Sequence, residues 1–213
     1  MDTLSGIGVL DKTMAILRAT AAEPAGLGAL VQRTGISRAT THRLAQGMEA
    51  VGLLRRTAEG AYAPGPALIG LGRAAVGAYP LAALALPVLR QLRDDTGESA
   101  QFFVADGDQR LCVASADSVN ELRTIVAVGA RLPMDRGSAG RALVDEVGPD
   151  GWCASVAERA PGVASVSAPV RDGDRIVGAV SLSGPIERLT DEPGARFGPL
   201  VVDAARTIER TSG

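Results

Sequence analysis

Two short helical segments joined by a glycine turn, within residues 27–51, constrain the fold of this chain more than any other feature of its sequence. The pattern from Leu27 to Thr34 predicts a short helix, and Gly35 suits the left-handed turn that ends such a helix. Ser37 is a good N-cap for the helix that follows, which we expect to run to Val51. A short helix, a glycine turn and a capped second helix form a helix-turn-helix.

The segments on either side of this motif complete a winged helix. Apolar residues recur at helical spacing from Val9 to Ala22, which predicts a first helix. The residues expected to pack inward from it are Leu10, Met14, Leu17 and Ala21. From Leu53 to Gly65 the sequence predicts a two-stranded hairpin that turns near Glu59-Gly60 and forms the wing.

The predicted third helix has a core side and an outer side when its residues are projected at about 100° per residue. The residues expected to pack inward are Leu44, Met48 and Val51, with Thr40 close beside them. The outer side carries Ala39, His42, Gln46 and Glu49, flanked by Arg38 and Arg43. Arginine can bond guanine, glutamine can bond adenine, and alanine can contact the thymine methyl group. Thr41 and the free amides at the start of the helix suit phosphate oxygens.

The charge distribution favours a nucleic-acid partner for this part of the chain. Residues 1–65 carry seven basic and five acidic side chains, whereas residues 66–213 carry fifteen basic and nineteen acidic ones. The predicted DNA-contact residues are Ser37, Arg38, Ala39, Thr40, Thr41, His42, Arg43, Gln46, Arg55 and Arg56, the last two along the wing. A helical bundle that binds a protein partner, with solvated arginines, is the alternative interpretation.

Residues 66–213 predict a linker helix followed by an α+β domain. Pro66 to Ala78 predicts the linker helix, whose small side chains allow close packing at a dimer contact. The further predicted elements are a helix over Leu81–Thr96, a hairpin of Gln101–Ala105 and Leu111–Ser115, a strand over Thr124–Val128, a helix from Gly137 to Val144, and a hairpin of Ala164–Val170 and Ile176–Ser183. The last helix, capped near Thr190, is expected to bury Phe197, Leu200, Val201, Ala204, Ala205 and Ile208.

Other functional classes find little support in the sequence. The single histidine, His42, lies on the presumed DNA face, and no catalytic triad, metal cluster or phosphate loop is recognisable. Cys112 is expected to be a small core residue in a strand, and Cys153 to lie in a helix or turn after Trp152. No apolar run reaches a membrane-spanning length, and the first residues lack the pattern of a secretory signal. We therefore expect a cytoplasmic protein that is not an enzyme and that needs no cofactor or metal.

Several strings resemble the IclR family of bacterial transcription regulators in motif order and spacing. They include GVLDKTMAIL, LVQRTGISRATTHRLAQGMEAVGLLRR, VGARLPMDRGSAGRAL and GVASVSAPV. The resemblance implies DNA binding by the winged helix and a GAF-like second domain that binds small organic or aromatic acids. The glycines of GSAG, residues 137–140, would let the backbone approach such an anion. Matching motifs imply effector contacts at Leu132, Met134, Ser138, Ala139, Ser155, Val163 and Ser165.

The chain departs from the family pattern in one place. Only Gly148-Pro149-Asp150-Gly151 connects Val147 to Trp152, where the family has a longer helical segment. The shortening can open the pocket, narrow it or abolish ligand binding.

The sequence as a whole predicts a transcription regulator with a winged helix over residues 1–65, a linker helix over 66–80 and an effector domain over 81–213. Its expected partners are double-stranded DNA at near-palindromic sites, a small-molecule effector, and further copies of the chain in a homodimer or homotetramer, with no membrane partner. Two alternatives stay open. One is a ligand-sensing module that acts mainly through a protein partner, with effector binding lost or altered by the shortened domain. The other is a degenerate enzyme that carries a DNA-binding arm.

Overall fold

The computed structural model describes residues 7–77 and 79–212, and its chain divides into two compact units, Met1–Ala78 and Tyr79–Gly213. Residues 1–6, 78 and 213 of the predicted domains lie outside the described residues. Within these, no single helix is long and apolar enough to cross a membrane; Ala67–Ala75 and Pro80–Thr96 meet that length and composition only when they are counted together.

The first unit is a winged helix-turn-helix followed by one more helix, as predicted. Its elements are α1 (Gly8–Ala22), α2 (Leu27–Thr34), α3 (Arg38–Ala50), β1 (Leu54–Arg56), β2 (Tyr62–Pro64) and α4 (Ala67–Gly77). Gly35 ends α2 in the left-handed conformation and donates its N–H to Val31 O, and Ser37 caps α3 by accepting from Thr40 N. The wing hairpin pairs Leu54 with Pro64 and Arg56 with Tyr62.

The core of the first unit differs from the predicted one in its helical phase. In α1 the buried residues are Ile16 and Thr20, whereas the expected core residues Leu10 and Met14 are 51% and 44% exposed. The buried residues of α3 are Thr41, Ala45 and Met48, whereas Leu44 is half-buried. Small side chains at positions 41 and 45 allow the neighbouring helices to approach closely. Val51 is 65% exposed, because it follows the last residue of α3 and is outside the helical periodicity.

The second unit is a six-stranded antiparallel sheet with helices on both faces. Its elements are α5 (Pro80–Thr96), β3 (Ser99–Asp106), β4 (Gln109–Ala116), β5 (Arg131–Pro133), α6 (Ser138–Leu143), β6 (Cys153–Val156), β7 (Val163–Asp172), β8 (Arg175–Pro185), α7 (Ile186–Leu189) and α8 (Pro193–Ser212). The strand order is β5-β4-β3-β8-β7-β6. The predicted α+β architecture is confirmed.

Alternation along the strands divides this unit into two apolar layers. Phe102 and Val180 belong to the main core with residues of α5 and α8. Their chain neighbours Phe103 and Ala179 lie on the other face, in small clusters with residues of α6. The side of α8 expected to be buried is buried except for Leu200, which is 42% exposed.

Two further predictions about the second unit are wrong. Residues 124–128 form no strand, since β5 occupies the edge beside β4 and Ile125 and Val128 are exposed. Cys153 lies in a strand rather than a helix or turn, because its segment pairs with β7 in a register that places Cys153 opposite Ser167.

The shortened connection after α6 is a tight turn. Gly148 N donates to Trp152 O, and Gly151 N donates to Gly148 O. The Trp152 ring that follows lies against Gly194 and Gly198 of α8, at positions where a β-carbon would clash with the indole. The two glycines thus provide space for the only tryptophan of the chain.

Candidate DNA interface and candidate effector site

The outer side of α3 presents five side chains that are free to contact a partner. Arg38, Ala39, His42, Arg43 and Gln46 are all exposed and share one side of the helix. None of their side chains forms a hydrogen bond or ion pair with the other described residues. Free donors on one exposed side are what hydrogen bonding to base edges requires.

At the start of α3 the three hydroxyl residues play different parts. Ser37 is exposed and Thr40 is half-buried; their hydroxyl oxygens are 3.0 Å apart, and Ser37 Oγ accepts from Thr40 N at 3.4 Å. Thr41 is fully buried, and its hydroxyl lies 3.0 Å from Ser37 O and 3.3 Å from Ile36 O. The prediction that Thr41 contacts phosphate is therefore wrong, because its side chain fills the space beneath the turn.

The two wing arginines also differ. Arg55 is exposed and forms no ion pair within the described chain. Arg56 approaches Glu49 at 3.4 Å, donates to Gly60 O at 2.8 Å and donates to the hydroxyl of the buried Tyr62. Arg56 thus joins the hairpin to α3. The sequence did not identify Tyr62 as its partner, although the two residues lie opposite each other in the hairpin register.

The predicted effector serines come together in the second unit, in a chain of hydroxyls that also includes two serines that were not predicted. Ser138 Oγ lies 2.7 Å from both Ser165 Oγ and Ser167 Oγ. Ser155 Oγ lies 3.0 Å from Ser165 Oγ, and Ser167 donates to Ser181 Oγ at 2.9 Å. Ser165 and Ser167 are two residues apart, a spacing that places both side chains on the same face of a strand. This spacing was the sequence signal that could have added Ser167 to the predicted site.

Four of the five hydroxyl groups in this serine chain donate to the next hydroxyl group of the chain. A hydroxyl has one proton to donate. Since Ser167 donates to Ser181, the donors run in one direction from Ser155 through Ser165, Ser138 and Ser167 to Ser181. The expectation that three converging hydroxyls require a polar guest or water is therefore not met by this geometry.

The apolar effector residues lie in different surroundings. Ala139 is buried in a cluster with Phe103 and Cys112, and Leu132 packs against that cluster. Met134 is half-buried, and its carbonyl group approaches Gly140 so closely that a β-carbon there would clash. Val163 is half-buried at the start of β7, opposite Pro185.

Charged residues that the sequence did not identify surround the GSAG loop. Glu158 accepts from Gly137 N at 3.1 Å and from Arg141 Nη1 at 2.8 Å. Arg110 is only 2% exposed and donates to Pro133 O. Burial, then the nearby Arg159, lowers the pKa of Arg110 to about 10, against a smaller opposing effect of Asp135. A charged side chain inside an otherwise apolar strand was the available signal for Arg110.

Both cysteine thiols are buried. Burial raises the pKa of Cys112 to about 12. Burial also raises the pKa of Cys153, although Arg141 opposes that shift. Among the described residues, no group of three or more histidine, cysteine or acidic side chains is arranged to hold a metal ion.

A winged helix-turn-helix with an exposed polar side, together with a sheet domain, defines a two-domain transcription regulator. Residues 9–58 match the IclR helix-turn-helix domain, and residues 73–150 and 144–210 match the bacterial transcriptional regulator IclR C-terminal domain. The chain belongs to the IclR family of bacterial transcriptional regulators, which are not enzymes. The two C-terminal matches overlap over residues 144–150, which include part of the short connection before Trp152.

Named relatives match this chain over most of its length and over most of their own. The HTH-type transcriptional regulator KipR of Bacillus subtilis is 25% identical, over 95% of this chain and 96% of its own. The transcriptional repressor IclR of Escherichia coli is 25% identical, over 86% and 81%. The Thermotoga maritima IclR structure has a TM-score of 0.77 at 17% identity, covering 96% of this chain and 98% of its own. An IclR homologue from Microbacterium hydrocarbonoxydans, complexed with 4-hydroxybenzoate, has a TM-score of 0.78 at 20% identity, covering 95% and 98%.

Proposed function

We propose that this protein binds near-palindromic operators as a homo-oligomer and that a small organic acid or amino acid in its second unit modulates this binding. The observation that carries the proposal is the exposed side of α3, where Arg38, His42, Arg43 and Gln46 have no side-chain partners among the described residues. Side chains that donate hydrogen bonds and have no partner of their own are suited to reading base edges in the major groove.

The remaining predicted contacts extend this interface. Ala39 would contact a thymine methyl group, and Ser37 and Thr40 would contact phosphate at the start of α3. Arg55, exposed on the wing, would contact the phosphate backbone.

Exposed apolar side chains on two helices of the first unit support a homo-oligomer. The large side chains exposed near the start of α1 are Ile7, Val9, Leu10 and Met14, and those on α4 are Ile69 and Leu71. A second copy of the chain would cover such surfaces from water. A two-fold dimer then requires a site with two related half-sites, which is the reason to expect a near-palindrome.

We propose that the effector is an acid. The Microbacterium relative is complexed with 4-hydroxybenzoate, a carboxylate, which supports an acid in the corresponding domain of this chain. The shortened connection supports a competing proposal, in which effector binding is lost and the second unit acts through a protein partner. The serine chain supports it too, because the three predicted effector serines, Ser138, Ser155 and Ser165, donate their protons to other serines.

Fluorescence anisotropy with labelled DNA from the upstream region of the gene tests operator binding. Arg38→Ala and Gln46→Ala should each weaken specific binding by about 1–3 kcal/mol. Arg175→Ala is the matched control, because this arginine is 77% exposed at a hairpin turn of the second unit. The logarithm of the binding constant should fall steeply with the logarithm of salt concentration. Unchanged affinity in both α3 variants would contradict the assignment of this helix face.

A titration of the protein–DNA complex with 4-hydroxybenzoate, and in parallel with each amino acid, tests the effector. A change in operator affinity with any of these supports regulation by an acid. No change with any of them favours the competing proposal.

A further inference from the structure

An open cleft lies between the short connection before β6 and the side of α8. It has a volume of about 420 Å³, within the range of sites that hold small molecules. The charged and aromatic residues that line it are Asp150, Trp152, Asp203 and Arg206. Trp152 packs against the main core, whereas the predicted effector residue Ala139 lies in a cluster on the other face of the sheet. The cleft is therefore separate from the predicted effector contacts.

The short connection forms one wall of this cleft and is held in place by the fold. Two backbone hydrogen bonds close its turn, from Gly148 N to Trp152 O and from Gly151 N to Gly148 O. A β-carbon added at Gly151 would lie 3.8 Å from Val202 of α8, which is van der Waals contact. The Trp152 ring also occupies the space that Gly198 leaves on α8. Since Trp152 is only half-buried, part of its indole stays open to the cleft in the absence of a ligand.

The charged side chains of the cleft have no partners in the part of the chain that the structure describes. Asp203 and Arg206 are exposed and three residues apart on α8, a spacing that places their β-carbons about 5–6 Å apart. Even so, their side chains form no ion pair with each other or with any other described residue, and neither does that of Asp150. Opposite charges that share a cleft without pairing are available to a molecule that carries both.

These side chains match the chemical groups of a free α-amino acid. A guanidinium group binds a carboxylate, often through two parallel hydrogen bonds. A carboxylate binds an ammonium group, and an indole attracts apolar groups, aromatic rings and cations. One carbon atom carries both the ammonium and the carboxylate group of an amino acid, so the two charges are close enough to meet two side chains on adjacent turns of a helix.

We propose that this cleft is a binding site for a free α-amino acid with an apolar, preferably aromatic, side chain. Arg206 binds the carboxylate group, Asp203 binds the ammonium group, and the Trp152 indole contacts the side chain of the ligand. Asp150 adds negative charge to the same cleft. The inference goes beyond the proposed function, because no predicted effector residue lines this cleft, and it holds whether or not an acid binds at those residues.

Fluorescence titration tests the ligand class, because Trp152 is the only tryptophan of the chain and lies in the cleft. The probes are L-phenylalanine, phenethylamine, which lacks the carboxylate, and 3-phenylpropionate, which lacks the ammonium group. L-Phenylalanine should change the fluorescence saturably, and each of the others should bind about tenfold more weakly because one charged contact is missing. Equal affinity of phenethylamine would indicate a cation site and equal affinity of 3-phenylpropionate a simple acid site, and either result would overturn the proposal.

Two variants test the assigned contacts. Arg206→Gln should weaken the binding of L-phenylalanine about tenfold without weakening that of phenethylamine. Asp203→Asn should weaken the binding of both compounds without weakening that of 3-phenylpropionate. Arg210→Gln is the matched control, since this arginine is exposed one turn further along α8 and does not line the cleft. Wild-type affinity for L-phenylalanine in Arg206→Gln and Asp203→Asn would overturn the assignment.

Operator binding separates this inference from the proposed function. A wild type that binds the operator but shows no fluorescence change with L-phenylalanine, up to the solubility limit of the compound, would overturn the amino-acid site alone. Ligand-free Arg206→Gln and Asp203→Asn should bind the operator as the wild type does, which also shows that both variants fold. A wild type that binds no operator would contradict the proposed function, whatever the fluorescence titration shows.

Discussion

The guanidinium of Arg56 lies 3.6 Å from the centre of the Tyr62 ring and donates to the hydroxyl of the same residue. Tyr62 is fully buried, and its backbone also pairs with Ala25, in the connection between α1 and α2. Arg56 and Tyr62 thus join the wing to the helical core. The charge of Arg56 is engaged within the protein, whereas that of Arg55 is available to DNA.

The two wing arginines should therefore respond differently to substitution. Arg55→Ala should leave stability unchanged, weaken binding to all DNA sequences alike and reduce the salt slope by about 1, because it removes one phosphate contact. Arg56→Ala should lower the free energy of unfolding by about 1–2 kcal/mol, because it removes a cation–π contact and the hydrogen bonds to Gly60 O and the Tyr62 hydroxyl. Anisotropy at several salt concentrations and urea unfolding measure both effects. Similar salt slopes for wild type and Arg55→Ala would contradict the assignment.

Thr41 should affect stability rather than DNA binding. Thr41→Val keeps the shape of the side chain but removes the hydroxyl that lies 3.0 Å from Ser37 O. We expect a loss of about 1 kcal/mol in the free energy of unfolding. Under conditions where the variant is folded, its operator affinity and salt slope should equal those of the wild type. A reduced salt slope would restore Thr41 as a phosphate contact.

Ser138 occupies the middle of the serine chain, with hydroxyl partners on both sides. Ser138→Ala should destabilise the second unit by about 1–3 kcal/mol, because the half-buried Ser165 and the buried Ser167 then lose a partner. Ser115→Ala is the control, since that hydroxyl bonds only Asp117 at the surface. Urea unfolding followed by Trp152 fluorescence reports on this unit. If both variants unfold at the same urea concentration, the hydrogen bonds of the serine chain contribute nothing to the stability of the second unit.

Gly198 provides space for Trp152. A β-carbon at Gly198 would lie 2.6 Å from two indole atoms, so Gly198→Ala should cost about 1–3 kcal/mol through overpacking. Gly72→Ala in α4 is the matched control, because a β-carbon there meets no atom within 4 Å. In a helix this change should be neutral or stabilising by about 0.5–1 kcal/mol. Calorimetry measures the stability of both variants. Equal stabilities would indicate that the Trp152 ring can move away from the added β-carbon.

The cysteines should be unreactive in the native protein at mild pH. Since burial raises the pKa of both thiols, that of Cys112 to about 12, the thiolate is scarce at pH 8 and is formed only as the pH approaches the raised values. Ellman's reagent should label neither thiol of the folded protein at pH 8 and both in urea. Rapid labelling of native Cys153 would instead indicate a reactive, redox-sensitive thiol.

Local sequence signals predicted the elements well, and the reason is visible in particular residues. Gly35 and Ser37 fix the ends of α2 and α3 through backbone conformation and capping, which depend only on neighbouring residues. Turn-forming residues similarly located the hairpins of β3 with β4 and of β7 with β8. The prediction of a strand over residues 124–128 was wrong because a strand also needs a pairing partner, and β5 already pairs with the free edge of β4.

The sequence by itself determined the class of protein, since the helix-turn-helix grammar and the family motifs depend on order and spacing along the chain. Tertiary structure decided which residues are available for function. It buried Thr41, engaged Arg56 with Tyr62, and placed Trp152 against α8. The physical reason is that burial and pairing depend on contacts between residues distant in the chain, as between Trp152 and Gly198, and local patterns do not specify such contacts.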